Sequence, residues 1–149
     1  MSKRVMILNG PNLNLLGVRE PHIYGNKTLA DIEQACRQEA QSLGLAITFY
    51  QSNYEGALVE WIHEARAKAD GVIINPAAYT FTSMAIFDAL KMFEGPIIEL
   101  HISNIHRREA VYHNSLISRV ATAVICGLGT NGYTVALQAL AQLLDAQKS

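Results

Sequence analysis

The sequence predicts an α/β fold in which a doubly wound, five-stranded parallel sheet forms a single domain over residues 1–149. Short apolar runs alternate along the chain with longer segments of helical period, which is the pattern of βαβ units. Half of the residues are hydrophobic and 17% are charged, a composition that suits a compact core. The length of 149 residues fits one domain.

Five short apolar runs predict the strands of this sheet. They are residues 5–8, 46–50, 72–74, 97–102 and 121–126. Strands in this rhythm, with helical segments between them, are typical of a flavodoxin-like sheet.

Apolar residues at helical spacing predict four helices. Thr28 and Asp31 form a variant of the capping box at the start of the first helix, and Gly44 ends it. The third helix stops before Gly95, and the last begins near Tyr133. The four apolar stripes are Leu29, Ile32, Cys36 and Leu43; Leu58, Ile62, Ala65 and Ala69; Ile86, Leu90 and Phe93; and Leu137, Leu140 and Leu144.

The connection between the first strand and the first helix, residues 9–27, is long for a βα loop, which typically needs about 2–6 residues. It is also too apolar for a tail in solvent, with Leu13, Leu15, Leu16 and Ile23. We therefore predict a lid that closes over a ligand, in which Arg19, Glu20 and Tyr24 are the candidates for chemistry.

The composition argues against several classes of partner. A net charge of −1 gives no electrostatic basis for binding nucleic acid or an anionic membrane. No apolar run is long enough to span a bilayer, and the apolar stretch near the start is too short for a signal peptide. Cys36 and Cys126 lie in apolar segments, so we predict reduced, buried thiols in a cytoplasmic protein.

The segment Gly127-Leu-Gly129-Thr-Asn-Gly132 matches the glycine pattern of a dinucleotide site. Such a motif belongs to a first βα turn, and it is followed by a strand whose acidic end binds ribose. Here the following residues are all helical in pattern. We therefore favour a tight turn that packs the last helix on the sheet.

Other common chemistries lack their residues. His101, His106 and His113 have no cysteine partners and no zinc-binding spacing, so no metal site is predicted. The lysines fall at the termini or on predicted helices, which makes a Schiff base hard to place.

Acid–base chemistry remains. Glu99 and His101 are two apart on a strand and therefore point to the same face. A carboxylate there could orient the imidazole as a general acid, although a strand-end histidine capped by its neighbour fits the pattern equally well. Tyr24 could be the base, but forming its phenolate at pH 7 costs about 4 kcal/mol. Nearby arginines could offset this cost, yet spacing alone favours a packing role for Tyr24.

The motifs resemble those of one enzyme family. They are Asn9-Gly-Pro-Asn-Leu-Asn-Leu-Leu-Gly17, Arg19-Glu-Pro21, Tyr24-Gly25, Gln51-Ser-Asn53, Glu55-Gly56, Trp61-Ile-His63, Ile74-Asn-Pro76, Tyr79-Thr80, Thr82-Ser83, Asp88-Ala-Leu90, Glu99, His101-Ile-Ser-Asn104, His106, Arg108-Glu109 and Val124-Ile-Cys-Gly127. In this order they resemble the type II 3-dehydroquinate dehydratases, over nearly the whole chain. The resemblance implies a flavodoxin-like lyase that converts 3-dehydroquinate to 3-dehydroshikimate without a cofactor.

The resemblance also implies how the proton is removed. Tyr24 would be the base that takes a C2 proton, with Arg19 and Arg108 favouring its phenolate. Asn12 would position a water that stabilises the enolate.

On the leaving-group side, the resemblance implies that His101, oriented by Glu99, protonates the departing C1 hydroxyl. Asn75 and the backbone amides of Ile102 and Ser103 would hold the substrate carboxylate.

The family assembly is typically a dodecamer of four trimers, and the resemblance implies that Asp88 reaches the site of a neighbouring subunit. The predicted partners are therefore a small-molecule substrate and further copies of the chain.

Three positions depart from the family pattern. Phe81 replaces a histidine, Phe87 replaces the arginine of a Leu-Arg pair, and Tyr112 replaces an arginine. The missing histidine and arginine contact the hydroxyl side of the ring in the family, so substrate recognition would be weakened. Two alternatives remain. Phe81 and Phe87 would make the pocket more apolar, which favours a paralogue that dehydrates or merely binds a ring acid with fewer hydroxyls. Separately, the glycine turn could belong to a flavodoxin-like regulatory module that binds phosphate or nucleotide.

Overall fold

The computed structural model describes residues 2–18 and 20–147, and for Tyr24 the backbone alone. These residues contain a five-stranded sheet of order β2-β1-β3-β4-β5, in which every pair of neighbours is parallel. The strands are β1 (Lys3–Asn9), β2 (Leu45–Gln51), β3 (Gly71–Asn75), β4 (Ile97–His101) and β5 (Ala123–Cys126). The predicted α/β fold class is confirmed. The fourth strand ends one residue earlier than predicted, at His101.

The helices are α1 (Pro21–Tyr24), α2 (Leu29–Leu43), α3 (Glu55–Lys68), α4 (Met84–Lys91) and α5 (Gly132–Ala146). The capping box of α2 is confirmed, since the Thr28 hydroxyl accepts from the Asp31 N–H and the Asp31 carboxylate accepts from the Thr28 N–H. Gly44 ends α2 with a φ of 70°, in the left-handed region that glycine adopts at low cost.

Two apolar clusters cover the two faces of the sheet. Residues alternate along β1, so that Val5 and Ile7 pack with α2 and α5, whereas Met6 and Leu8 pack with α3 and α4. Phe93, predicted within the third helix, lies beyond the end of α4 but is buried in the second cluster. No helix in the described part of the chain is both long and apolar enough to cross a membrane.

The connection over residues 9–27 begins inside the core. Leu13 and Leu16 are buried in the cluster formed with α2 and α5, while Leu15 is exposed. The start of the connection is therefore held by packing, and closure of the remainder over a ligand stays a prediction.

Both cysteines are free, but they differ in burial. Cys36 is buried in α2, and burial raises the pKa of its thiol to about 12, so the thiol stays protonated. Cys126 is half-buried, which corrects the prediction that both are buried. The apolar segments around the two cysteines could not predict this difference in burial, because it arises from the position of Cys126 on the edge strand β5.

The glycine turn before α5 serves packing. Gly127 and Gly129 have φ values of 91° and 64°. A Cβ on Gly132 would lie 2.9 Å from Cδ1 of Leu100 in β4, so a glycine lets α5 approach the sheet. The structural interpretation of this motif is confirmed.

Candidate active site

A cleft opens at the carboxyl ends of β1, β3 and β4. Eight predicted site residues line it: Asn12, Asn75, Phe81, His101, Ile102, Ser103, Arg108 and Tyr112. Pro11, Leu13, Ala77, Ala78 and Ile105 complete the lining. The sheet therefore brings together residues that are far apart in the sequence, at the edge where parallel sheets bind ligands.

Glu99 and His101 form a hydrogen-bonded pair at the end of β4. Nε2 of His101 lies 2.5 Å from Oε2 of Glu99, and the two side chains are 6% and 0% exposed. Since the carboxylate accepts this bond, Nε2 carries its proton and Nδ1 remains to exchange a proton with a ligand in the cleft. The predicted same-face geometry is present.

The Glu99 carboxylate is held by two further donors. The hydroxyl of Ser115 donates to Oε2 at 2.8 Å, and the hydroxyl of Ser118 donates to Oε1 at 2.6 Å. Burial acts to raise the pKa of Glu99, but the bonds from His101 and Ser118, the charge of His101 and the bond from Ser115 together lower it below its ordinary value. Glu99 is therefore ionised at neutral pH.

Asn75 belongs to a buried polar network beneath the cleft. Its Nδ2 donates to the Tyr133 hydroxyl at 3.0 Å, and its Oδ1 accepts from the Ala77 N–H at 3.2 Å. The Tyr133 hydroxyl in turn donates to Oδ1 of Asn9 at 2.6 Å. Burial raises the pKa of Tyr133, so this phenol stays neutral. The network fixes the orientation of the Asn75 amide and leaves its second N–H for a ligand.

Asn12 is held by its backbone at the lip of the cleft. It has a φ of 70°, a left-handed conformation that asparagine tolerates better than most residues. Its N–H donates to Oδ1 of Asn53 at 3.0 Å, and Nε2 of Gln51 donates to the same oxygen at 3.2 Å. The ends of β1 and β2 are thus linked beside the cleft.

Comparison with known proteins decides the family. The profile described as "Dehydroquinase class II" matches residues 3–141 of this chain. The chain belongs to the class II dehydroquinase family.

Similar proteins match this chain over nearly the whole length of both partners. The chain is 57% identical to a "3-dehydroquinate dehydratase" of Bartonella tribocorum, over 99% of this chain and 100% of the relative. It is 53% identical to a protein of the same name from Rhizobium meliloti, again over 99% and 100%. The crystal structure of the type II dehydroquinase of Propionibacterium acnes superposes with a TM-score of 0.92 at 44% identity, over 95% of this chain and 98% of that one.

An aromatic wall, defined here as Phe81 and Tyr112, forms part of the lining of the cleft. The rings of Phe81 and His101 stack with centroids 6.4 Å apart. The guanidinium carbon of Arg108 lies 4.0 Å from the centroid of the Tyr112 ring, a cation–π contact. The wall therefore touches both the candidate acid and a candidate cation of the site.

Two of the other predicted residues lie off the lining of the cleft, and two are not described. Glu99 stands behind His101 rather than on the lining, and Asp88 is exposed on α4, away from the cleft of its own chain. Arg19 and the side chain of Tyr24 lie outside the described residues. Over residues 2–18 and 20–147, no group of three or more His, Cys, Asp or Glu side chains is placed to hold a metal ion.

Sequence reasoning missed Ser115, Ser118 and Tyr133 as supporting residues. The pair Ser115-x-x-Ser118 carries no signal of its own, because a serine in a loop is common. A tyrosine at the buried start of a helix is a better signal, since its hydroxyl needs a partner when it is buried.

Proposed function

We propose that this class II dehydroquinase is a 3-dehydroquinate dehydratase, a lyase that removes water from 3-dehydroquinate to give 3-dehydroshikimate. The observation that carries the proposal is the buried Glu99–His101 pair at the cleft, in a chain whose full-length relatives bear that name. An ionised carboxylate behind an imidazole is the arrangement expected for a general acid.

In the proposed reaction, Tyr24 acts as a phenolate and takes a proton from C2 of the cyclic ketone. The electron pair moves onto the carbonyl oxygen, forming an enolate. Arg19 and Arg108 favour the phenolate by their positive charge, and Asn12 positions the water that stabilises the enolate. The position of Asn12 and Arg108 on the lining of the cleft supports this assignment.

The second half of the reaction expels the C1 hydroxyl. The enolate collapses, the C1–O bond breaks, and the oxygen leaves as water with a proton from His101. Glu99 stabilises the imidazolium that is present before the transfer and keeps Nε2 protonated afterwards.

The substrate carboxylate would be held by Asn75 and the backbone amides of Ile102 and Ser103. Both Ile102 and Ser103 line the cleft directly after His101, and the Ile102 carbonyl accepts from the Gly129 N–H at 3.0 Å, which fixes the turn. No step of this mechanism calls for a cofactor.

We also propose a homododecamer of four trimers in the cytoplasm, with the single domain of residues 1–149 carrying a lid over residues 9–27. The exposure of Asp88 on α4 supports a role in a neighbouring site, since the side chain is accessible to another subunit.

Turnover of 3-dehydroquinate, followed by the absorbance of the conjugated enone product, tests the proposal. His101→Ala and Tyr24→Phe should each abolish the absorbance increase. His63→Ala and Tyr54→Phe are matched controls, because both residues are exposed and lie outside the cleft lining. Absence of turnover by the unmodified protein would refute the assigned reaction, and full activity of His101→Ala would refute the assigned acid.

A further inference from the structure

A short clamp, defined here as residues 115–119, contacts the Glu99 carboxylate through two serine hydroxyls. It contains the turn Ile117–Arg119, and the Ile117 side chain is fully buried in the cluster formed with α3 and α4. The Leu116 N–H donates to the Thr80 carbonyl at 3.0 Å. The clamp is therefore fixed to the body of the protein at two points.

The hydrogen bonds of Ser115 determine the direction of its hydroxyl proton. Its oxygen accepts from the N–H groups of Ile117 and Ser118, both at 3.1 Å. A hydroxyl has one proton and two acceptor sites, so its proton must go to Glu99. The backbone of the clamp therefore fixes the Ser115 hydroxyl, and that hydroxyl fixes the orientation of the Glu99 carboxylate.

Ser118 supports the other carboxylate oxygen. It donates to Oε1 at 2.6 Å, whereas His101 and Ser115 both donate to Oε2. Hydrogen bonds to an ionised acceptor are stronger than neutral ones, and a buried carboxylate that loses one is poorly solvated. Removing the Ser118 hydroxyl should therefore favour the protonated form of Glu99.

We propose that Ser115 and Ser118 are positioning residues for general-acid catalysis, which keep Glu99 oriented and ionised so that it can hold the His101 imidazole. This inference rests on the proposed function, because it gives the acid of that reaction its supporting residues. Neither serine touches the cleft, so neither is expected to contact substrate.

The described partners of Glu99 other than His101 are uncharged. Its register neighbours in the adjacent strands are Ile74 and Val124, both apolar. The clamp presents hydroxyl groups to the carboxylate, and the described charge that acts on it is that of His101. A change in the titration of Glu99 in a Ser118 variant would therefore report on the lost hydroxyl.

The test compares Ser118→Ala, Ser118→Thr and Ser42→Ala in the full chain. Ser118 is suited to substitution because it is exposed, and threonine retains the hydroxyl. Ser42→Ala is the matched control, since its hydroxyl bonds to a carbonyl on the exposed surface of α2. Two readouts are needed: kcat and KM for 3-dehydroquinate across pH, and NMR titration of the Glu99 carboxyl and His101 ring in the substrate-free protein.

For Ser118→Ala we expect kcat to fall roughly tenfold with little change in KM. The acidic limb of the kcat/KM profile and the Glu99 titration should both move to higher pH. Ser118→Thr should restore both, and Ser42→Ala should match the unmodified protein. Ser115→Ala should move the same readouts in the same direction.

An unchanged Glu99 titration in Ser118→Ala would overturn the inference, as would a loss confined to KM. If the unmodified protein does not turn over 3-dehydroquinate, the proposed function fails. The NMR titration then still decides whether the serines hold Glu99 ionised, so the two failures are distinguishable.

Discussion

The rings of Phe81 and Tyr112 meet edge to face, with centroids 5.5 Å apart and an interplanar angle of 76°. The resemblance drawn from the sequence implies a histidine at position 81 and an arginine at position 112 in the family. Here two aromatic rings pack on each other, and Phe81 offers the cleft an apolar contact where the resemblance implies a hydrogen-bonding side chain.

Restoring histidine at position 81 should improve recognition of the ring hydroxyls. We expect Phe81→His to lower KM for 3-dehydroquinate by about 5- to 150-fold, because a polar partner for a buried hydroxyl is worth about 1–3 kcal/mol. Steady-state kinetics measures this, with Phe81→Leu as the control that changes shape without adding a donor. A higher KM in Phe81→His would show that the aromatic wall itself favours the substrate.

The ring of Tyr112 should support activity by holding the Arg108 guanidinium in place. Tyr112→Leu removes the face over which the guanidinium lies, a contact worth about 0.5–2 kcal/mol. We expect kcat/KM to fall by about 2- to 30-fold. Tyr112→Phe keeps the ring and should retain most of the activity; equal losses in both variants would instead assign the effect to the hydroxyl.

Tyr133→Phe tests the network under Asn75. The change removes the hydroxyl shared by Asn75 and Asn9 and leaves two buried amide groups without that partner. We expect a loss of about 1–3 kcal/mol in the free energy of unfolding, together with a higher KM. Urea unfolding and kinetics provide the two measurements. Tyr54→Phe is the matched control, since Tyr54 is 77% exposed.

The difference between local and distant contacts explains which of these features the sequence could predict. The capping box of α2 joins Thr28 to Asp31 within one turn, so spacing alone identified it. The same-face placement of Glu99 and His101 follows from strand geometry and was also predictable. The bonds of Ser118 to Glu99 and of Asn75 to Tyr133 span 19 and 58 residues. They depend on how the loop and α5 pack against the sheet, which no local pattern specifies.

The ionisation of Glu99 predicts a dependence of stability on pH. Its folded-state pKa is lowered below the ordinary 4.5 by its hydrogen bonds, against the effect of burial. The ionised carboxylate therefore stabilises the fold above pH 4.5, and this contribution is lost as the pH falls through the folded-state pKa. Thermal unfolding between pH 7 and pH 3 should show a smaller pH-dependent loss for Glu99→Gln than for the unmodified protein. Parallel curves would contradict the assignment.

Gly132 and Gly56 offer a matched pair of glycines for testing how closely α5 approaches the sheet. A Cβ at position 132 would press on Cδ1 of Leu100 at 2.9 Å, whereas a Cβ at position 56 in α3 meets nothing within 4 Å. Gly132→Ala should destabilise the protein by about 1–3 kcal/mol through overpacking, and Gly56→Ala should stabilise it by about 0.5–1 kcal/mol through its helix propensity. Urea unfolding measures the stability of both variants.

If the glycine turn before α5 instead held a nucleotide, ATP or NAD would raise the unfolding temperature of the unmodified protein, and Gly132→Ala would remove that protection. We expect no such protection, because α5 packs so closely on the sheet at Gly132 that an added Cβ would press on Leu100.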